Sequence, residues 1–232
     1  MPRALSEDIW LLELGYVNAY LVRDDVLVLF DAGLPWSGRR IRAEIERAGF
    51  DPAAVKRVLL THYDLDHVGA LSALPGRPKI HAGEPDAAFV AGTRRPGFDS
   101  LKRGSQHLGA FVTRPPASSV RPIEDGEKFG SFTAIHSPGH TMGHVVYASE
   151  KHEVAFIGDL AMSDGESLSL PPWFFNEDGD RLADSIETVA ERLPPVSLLA
   201  PGHGEPLWGD ATQILRGADP RQSVTGDTPW RI

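Results

Sequence analysis

The 232-residue chain predicts an α/β fold of two similar halves, each a group of strands followed by a helix, packed sheet to sheet. Short apolar runs of strand length recur in both halves, an amphipathic helix pattern follows in each, and no linker-like stretch separates independent domains. With 41% hydrophobic residues, a chain of this length can bury one substantial core, or two small halves sharing an interface. One domain over residues 1–232 is expected.

"IWLLEL" (9–14), "NAYLVR" (18–23) and "VLVLFDAG" (26–33), separated by "GYV" and "DD", read as a meander of strands. "SGRRIRAEIERAGF" places Ile41, Ile45 and Ala48 at helical spacing, with Ser37 as N-cap candidate and Gly49 as the stop. "VKRVLLTH" (55–62) reads as a buried strand, and "HVGALSAL" as a helix starting at His67. Residues 84–118 mix a possible helix, "EPDAAFVAG", with "RRPGF" and "RPPASS"; this stretch and 163–178 are expected to be lid-like insertions. In the second half "FTAIHSPGHTMGHVVYAS", "EVAFIGDL" and "VSLLAPGHGEPL" are strand-like, each interrupted by or ending in a turn that carries His or Asp. "GDRLADSIETVAERL" (179–193) is an amphipathic helix. The two halves match in element order only, because no sequence repeat is visible.

Composition narrows the function. A net charge of −9, with no run of more than two basic residues, disfavours nucleic acid and anionic membranes as partners. The absence of cysteine excludes disulfides, thiolate nucleophiles and Cys-type zinc sites, so a metal would sit on His, Asp and Glu. "MPRALSEDIWLLEL" has acids where a signal peptide needs apolar residues, and no run approaches membrane-spanning length. A cytoplasmic protein acting on a small molecule is expected; the sequence leaves the oligomeric state open.

"LLTHYDLDHVGAL" (59–71) packs two histidines and two aspartates between His62 and His67. In an extended segment alternate side chains share a side, so His62, Asp64 and Asp66 can line one face, with His67 joining where a helix begins. Four such donors crowded together repel or lack partners unless a cation sits among them. The plainer reading is a solvated turn with Asp64 or Asp66 capping the helix. Against it stand three further ligand-type residues at strand ends: His140 in "SPGHTMGH", Asp159 in "FIGDL" and His203 in "APGHGEP".

H-x-D-x-D-H, then PGHTMGH, then GD, then PGHG resembles the metallo-β-lactamase superfamily, and the two PGH motifs its glyoxalase II-like hydrolases. "FDAG" at 30–33 resembles that family's early strand-end aspartate, and the likeness spans roughly residues 9–208. The spacings agree: 72 residues separate His67 from His140, 18 separate His140 from Asp159, and 43 separate Asp159 from His203. The resemblance implies an αββα sandwich of two mixed β-sheets flanked by helices, with a dinuclear centre at one edge. It implies one metal on His62, Asp64 and His140, a second on Asp66, His67 and His203, and Asp159 bridging them with a water or hydroxide. Asp66 would both ligate and orient that nucleophile. Zinc is the first expectation for the two divalent ions. The departure is Asp64, where the family usually has histidine: three carboxylates leave a divalent pair with one net positive charge instead of two, and tilt preference toward iron or manganese.

His81, His107 and His152 are expected in ordinary hydrogen-bonding or surface roles, His144 as a structural partner of the site, and His136 is unassigned. "PPWFF" (171–175) reads first as a loop anchor packed on the core and second as a substrate contact. The function implied is metal-dependent hydrolysis of a thioester, ester or lactone. An iron-dependent oxygenase, or a non-catalytic regulator if Asp64 leaves the first site empty, are the alternatives.

Overall fold

The computed structural model describes residues 1–95, 115 and 117–218. Seven strands form a first sheet in sequential order: β1 (Arg3–Ala4), β2 (Ile9–Glu13), β3 (Asn18–Arg23), β4 (Leu27–Phe30), β5 (Val55–Leu59), β6 (Lys79–Gly83) and β7 (Val120–Ile123). Pairing is antiparallel as far as β4 and parallel from β4 to β7. The second half supplies β8 (Lys128–Phe129), β9 (Phe132–His136), β10 (Val145–Ser149) and β11 (Val154–Gly158), then a separate hairpin of β12 (Met162–Ser163) and β13 (Leu168–Ser169). With β14 (Leu198–Pro201) and β15 (Leu207–Trp208), the second sheet runs β15-β14-β11-β10-β9-β8. Helices α1 (Gly38–Arg47), α2 (Leu65–Val68) and α3 (Asp86–Val90) cover the first sheet; α4 (Gly179–Arg192) and α5 (Ala211–Gly217) cover the second.

The two-residue strand period explains why the sheets are sandwiched. In β4, Leu27 and Leu29 join the helix-side core with Ile41 and Ile45 of α1, whereas Val28 and Phe30 enter the core between the sheets. β11 divides likewise: Ala155 and Ile157 pack with Leu182 and Ile186 of α4, Val154 and Phe156 face inward. Continuously apolar strands need apolar cover on both faces, and an αββα sandwich supplies it. At its centre Phe30 stacks on Phe156 with centroids 3.9 Å apart and meets Phe132 and Tyr147 edge-on at 5.0 and 5.5 Å. The buried Tyr147 hydroxyl donates to the Leu60 carbonyl at 2.7 Å, tying the second sheet to the end of β5. Among the described residues no helix is long and apolar enough to cross a membrane.

Two local expectations are corrected. Ser37 stands at the N-terminus of α1, but its side chain makes no capping bond, because a 3-10 turn over Pro35–Ser37 leads in and buries it. The helix expected from His67 onward starts at Leu65 and ends at Val68, with only a 3-10 turn at Leu71–Ala73 beyond. The break is tertiary: the Ala70 N–H donates to the Ala32 carbonyl, and Gly69 lies so close to Leu34 and Pro35 that a Cβ there would collide with both. Of the 84–118 insertion, residues 96–114 and 116, His107 among them, lie outside the described residues. Residues 163–178 contain the second strand of the small hairpin and a 3-10 turn at Trp173–Phe175.

The edge of the sandwich remote from the ligand-type residues is clamped by Asp24, in the β3–β4 turn. Its side chain, 2% exposed, accepts from the Ser131 N–H at 2.7 Å, Lys151 Nζ at 2.8 Å and His152 Nε2 at 3.2 Å, all from the second half. Burial opposes ionisation, but these donors outweigh it and hold the carboxyl well below its ordinary range. A carboxyl whose pKa is depressed by folding stabilises the native state above its unfolded pKa of about 3.9 and loses that contribution as pH falls toward the folded value. Asp24→Ala is expected to cost about 2 kcal/mol at pH 7. Denaturant melts of both proteins should show the gap closing as pH drops below about 4.

Candidate metal centre

The ligand-type residues meet where strands end. Asp31 follows β4, His62 lies three residues beyond β5, Asp159 directly follows β11, His203 lies two beyond β14, and His140 sits in the β9–β10 turn. Glycines permit the crowding. Gly202 packs on Asp159 and the His67 ring so closely that a Cβ would overlap the Asp159 carboxylate. Gly158, at φ +49°, leaves no room for a Cβ beside Thr61 and His144.

Seven side chains converge. Ligand atoms of His62, Asp64 and His140 lie within 4.8 Å of one another, and so do those of Asp66, His67 and His203. Asp159 stands between the groups: its Oδ1 is 3.4 Å from His67 Nε2, and its Oδ2 is 3.4 Å from His203 Nε2, 3.6 Å from His140 Nε2 and 4.0 Å from His62 Nε2. Asp64 Oδ2 is 3.0 Å from His140 Nε2 and 3.6 Å from His62 Nε2; Asp66 Oδ2 is 3.4 Å from His203 Nε2. His62 and His67 are wholly buried, whereas Asp64 and Asp66 face a cleft of about 140 Å³ whose walls include Tyr16, Met162, Pro171 and Phe175.

Each of the four rings turns Nδ1 outward onto an acceptor. His62 faces the Thr61 hydroxyl at 3.0 Å, His67 the Asp31 carboxylate at 2.9 Å, His140 Asn176 Oδ1 at 2.9 Å and His203 the Tyr16 carbonyl at 2.8 Å. The Thr61 hydroxyl itself donates to Asp31, and Asn176 Nδ2 donates to the Pro171 carbonyl, so both present an acceptor to their histidine. Protons on Nδ1 aim the Nε2 lone pairs inward, as ligating imidazoles require.

The donor set fits a divalent cation. Nε2 of His62 and of His67 and Oδ1 of Asp159 are buried without a hydrogen-bond partner, a cost that proteins seldom bear outside functional sites. The protein's own electrostatics also favour positive charge here. Burial alone would lower His67, but Asp159, Asp31 and Asp66 outweigh it and raise the ring to about 9. His203 is raised to about 11, burial again being overcome, here by Asp159 and Asp66. Burial followed by repulsion from His67 lowers His62 to about 4, and His67 and His203 hold Asp159 well below its ordinary value against burial. Protons on His67 and His203 compensate the carboxylates, and a cation binding these rings would replace them.

Asp64 does occupy the N-cap position of α2, and its carbonyl accepts from the His67 and Val68 N–H groups. Its carboxylate makes no capping bond and turns to His140 instead. His144 packs behind the cluster, its ring centroid 5.4 Å from that of His62 and its Nδ1 2.7 Å from the Ser137 hydroxyl. His152 is buried on Asp24, and His81 packs edge-on against Phe129 at 4.7 Å. The expectation that "PPWFF" anchors on the core is corrected: Trp173, Phe174 and Phe175 are exposed, and Phe175 lines the cleft. Asn176 and Asp86 were not legible in the sequence. Asp86, 1% exposed, accepts from the Tyr63 N–H at 3.1 Å, the Thr141 hydroxyl at 2.6 Å and the Gly143 N–H at 3.1 Å, joining the 62–67 loop to the His140 turn.

Asp86→Asn replaces part of this acceptor surface with a donor. It is expected to cost about 2 kcal/mol, lowering Tm by roughly 4–8 °C. Metal titration should show at least about tenfold weaker binding, as for other residues that orient ligands. Asp31→Asn is expected to have a comparable effect on binding by releasing His67.

The family model of the metallo-beta-lactamase superfamily matches residues 12–203. The chain is 30% identical over 217 residues to the probable metallo-hydrolase YqgX of Bacillus subtilis (strain 168), covering 90% of this chain and 92% of that one. It is 28% identical over 191 residues to the hydroxyacylglutathione hydrolase GloC of Haemophilus influenzae, covering 75% and 85%. The solved structure of TTHA1623 in a di-iron-bound form superposes with a TM-score of 0.67 at 26% identity, covering 95% of this chain and 99% of that one. With the described sandwich and the His/Asp cluster at its edge, these matches establish that the chain belongs to the metallo-beta-lactamase superfamily.

Proposed function

We propose that this chain is a metal-dependent hydrolase of a small-molecule ester, thioester or lactone, working with two divalent ions. The observation that carries the reading is the arrangement of two triads, each of two histidines and one aspartate, on either side of one buried carboxylate. His62, Asp64 and His140 would hold one ion; Asp66, His67 and His203 the other; Asp159 reaches toward both. When bound, such a pair acidifies a water and polarises a carbonyl oxygen. Asp66 faces the cleft and is held ionised, burial being outweighed by His67 and His203, so its carboxylate can accept and orient a proton of the attacking water. Tyr16, Met162, Pro171 and Phe175 wall the cleft in which the reacting carbonyl would lie.

Relatives named as metallo-hydrolases and a hydroxyacylglutathione hydrolase support this chemistry. Zinc suits the imidazoles, and the carboxylate in each triad suits iron or manganese, consistent with a related fold solved with two irons. An oxygenase reading calls for a single iron, whereas the geometry offers two donor sets. A regulator with an empty first site is disfavoured by the Asp64 carboxylate lying inside the triad.

Metal analysis of protein from unsupplemented medium, followed by an ester and thioester panel, tests the proposal: about two ions per chain and turnover abolished by chelation are expected. Failure of the metal-loaded protein on every carbonyl substrate would sink it. Asp159→Ala is expected to lower metal content more than any single histidine change and to abolish turnover, since its carboxylate serves both triads. Asp64→Ala should lose one ion selectively while keeping the fold. Asp64→His should bind zinc better relative to manganese or iron, with activity extending to lower pH because the site gains one positive charge; each pKa unit corresponds to about 1.4 kcal/mol. Unchanged stoichiometry and pH profile in both variants would remove Asp64 from the site.

A further inference from the structure

Folding does not account for the aromatic segment at the cleft mouth. Trp173, Phe174 and Phe175 are 81%, 49% and 46% exposed, although each could contribute to a core. They do not ride on a slack loop. The Phe175 N–H donates to the Pro172 carbonyl at 2.8 Å and the Asn176 N–H to the Trp173 carbonyl at 3.1 Å, closing a tight turn. That turn is fastened to the ligand loop, since Asn176 Oδ1 holds His140 Nδ1, the Glu177 N–H donates to the His140 carbonyl and the Asp178 N–H to the Gly139 carbonyl. From the cleft wall the rings step outward: Phe175 to Phe174 at 4.5 Å between centroids, Phe174 to Trp173 at 5.8 Å. Tyr16, 66% exposed, packs its ring on His203 at 4.5 Å and lines the same cleft.

The geometry points to an acyl-binding subsite in which Phe175, Phe174 and Trp173 receive a neutral, apolar acyl or alkyl chain running outward from the reacting carbonyl. The inference rests on the hydrolase reading above and names its substrate class: medium-chain esters, thioesters or lactones. Two observations commit the surface to this occupant. The aromatic track is continuous with the cleft, so a chain attached to a carbonyl held there lies along it. Among the described residues lining the cleft there is no Lys or Arg, so an anionic substrate tail finds no lysine or arginine partner there. The residues are preorganised by the His140 loop, which limits the ordering cost on binding.

The test uses the metal-loaded full chain and p-nitrophenyl esters from acetate to decanoate. Full burial of a methylene corresponds to about a fourfold gain, and an open track should realise about twofold per methylene in kcat/KM up to roughly octanoate. The double variant Trp173→Ala/Phe174→Ala should reduce the decanoate-to-acetate ratio by at least about tenfold, and Trp173→Phe should retain most of it. A second readout needs no turnover: titration with 2-undecanone should shift tryptophan emission saturably in the native chain but not in Trp173→Phe. A flat ester series, or an unchanged ratio in the double variant, overturns the subsite. Tighter binding of a dicarboxylate than of a neutral chain of equal length also overturns it, as does a dimer that the double variant abolishes, which would assign the patch to a second copy. If no ester, thioester or lactone is hydrolysed but the ketone still shifts the emission, the hydrolase reading fails and the apolar-chain site stands. If esters are hydrolysed with a flat series, the hydrolase reading stands and the subsite fails.

Discussion

The burial of one carboxylate, that of Asp159, among four inward-facing imidazole nitrogens is the constraint around which this molecule is arranged. At 6% exposure it is largely cut off from solvent, and a bare buried carboxylate is among the costliest groups a fold can contain. Nearby positive charge makes it tolerable, from protons on His67 and His203 or from bound cations. Every other feature of the site follows from keeping those rings aimed at it. Asp31 shows how much structure that takes. It adopts the left-handed conformation at φ +57°, which aspartate enters more readily than most non-glycine residues, and from there its carboxylate reaches the Thr61 N–H, the Thr61 hydroxyl and His67 Nδ1.

The sandwich makes such convergence possible by bringing unrelated strand ends to one edge. β4 and β5 come from the first sheet, β11 and β14 from the second, and each pair is parallel, so both members of a pair end on the same side. Their relative height is set by the aromatic core, in which Phe30 stacks on Phe156 one residue before Asp31 and three before Asp159. Asp24 secures the remote edge through residues of the opposite half. Packing at the centre and an ionic clamp at one edge thus fix the distances at the other.

Asp64 illustrates competition between local and tertiary demands. Its backbone accepts the role of a helix N-cap, and an aspartate there would ordinarily satisfy a free N–H of the first turn. It gives up that bond to place its carboxylate between His62 and His140. The result is two donor sets of like composition, each of two imidazoles and one carboxylate.

Much of the fold and the cluster was written locally. Strand period and amphipathic helix spacing located strands of both sheets, α1 and α4, and short motifs marked seven ligand-type side chains whose grouping the family resemblance implied, because each signal depends only on neighbours along the chain. The missing parts depend on contacts between distant segments. Asp86 and Asn176 look like ordinary polar residues until the fold sets them beside loops 55 and 36 residues away in sequence. The helix after His67 is cut short by a carbonyl of residue 32 and the backbone at Pro35, which no periodicity reveals. "PPWFF" has the composition of a core anchor, yet its rings are exposed at the cleft mouth, where the bonds of Asn176, Glu177 and Asp178 to the His140 turn hold the segment. The sequence determined which chemistry could assemble, since residue type and local geometry are set by the chain itself; the tertiary structure decided which partner each polar group finds, since that choice is made by whatever folding brings within hydrogen-bonding distance.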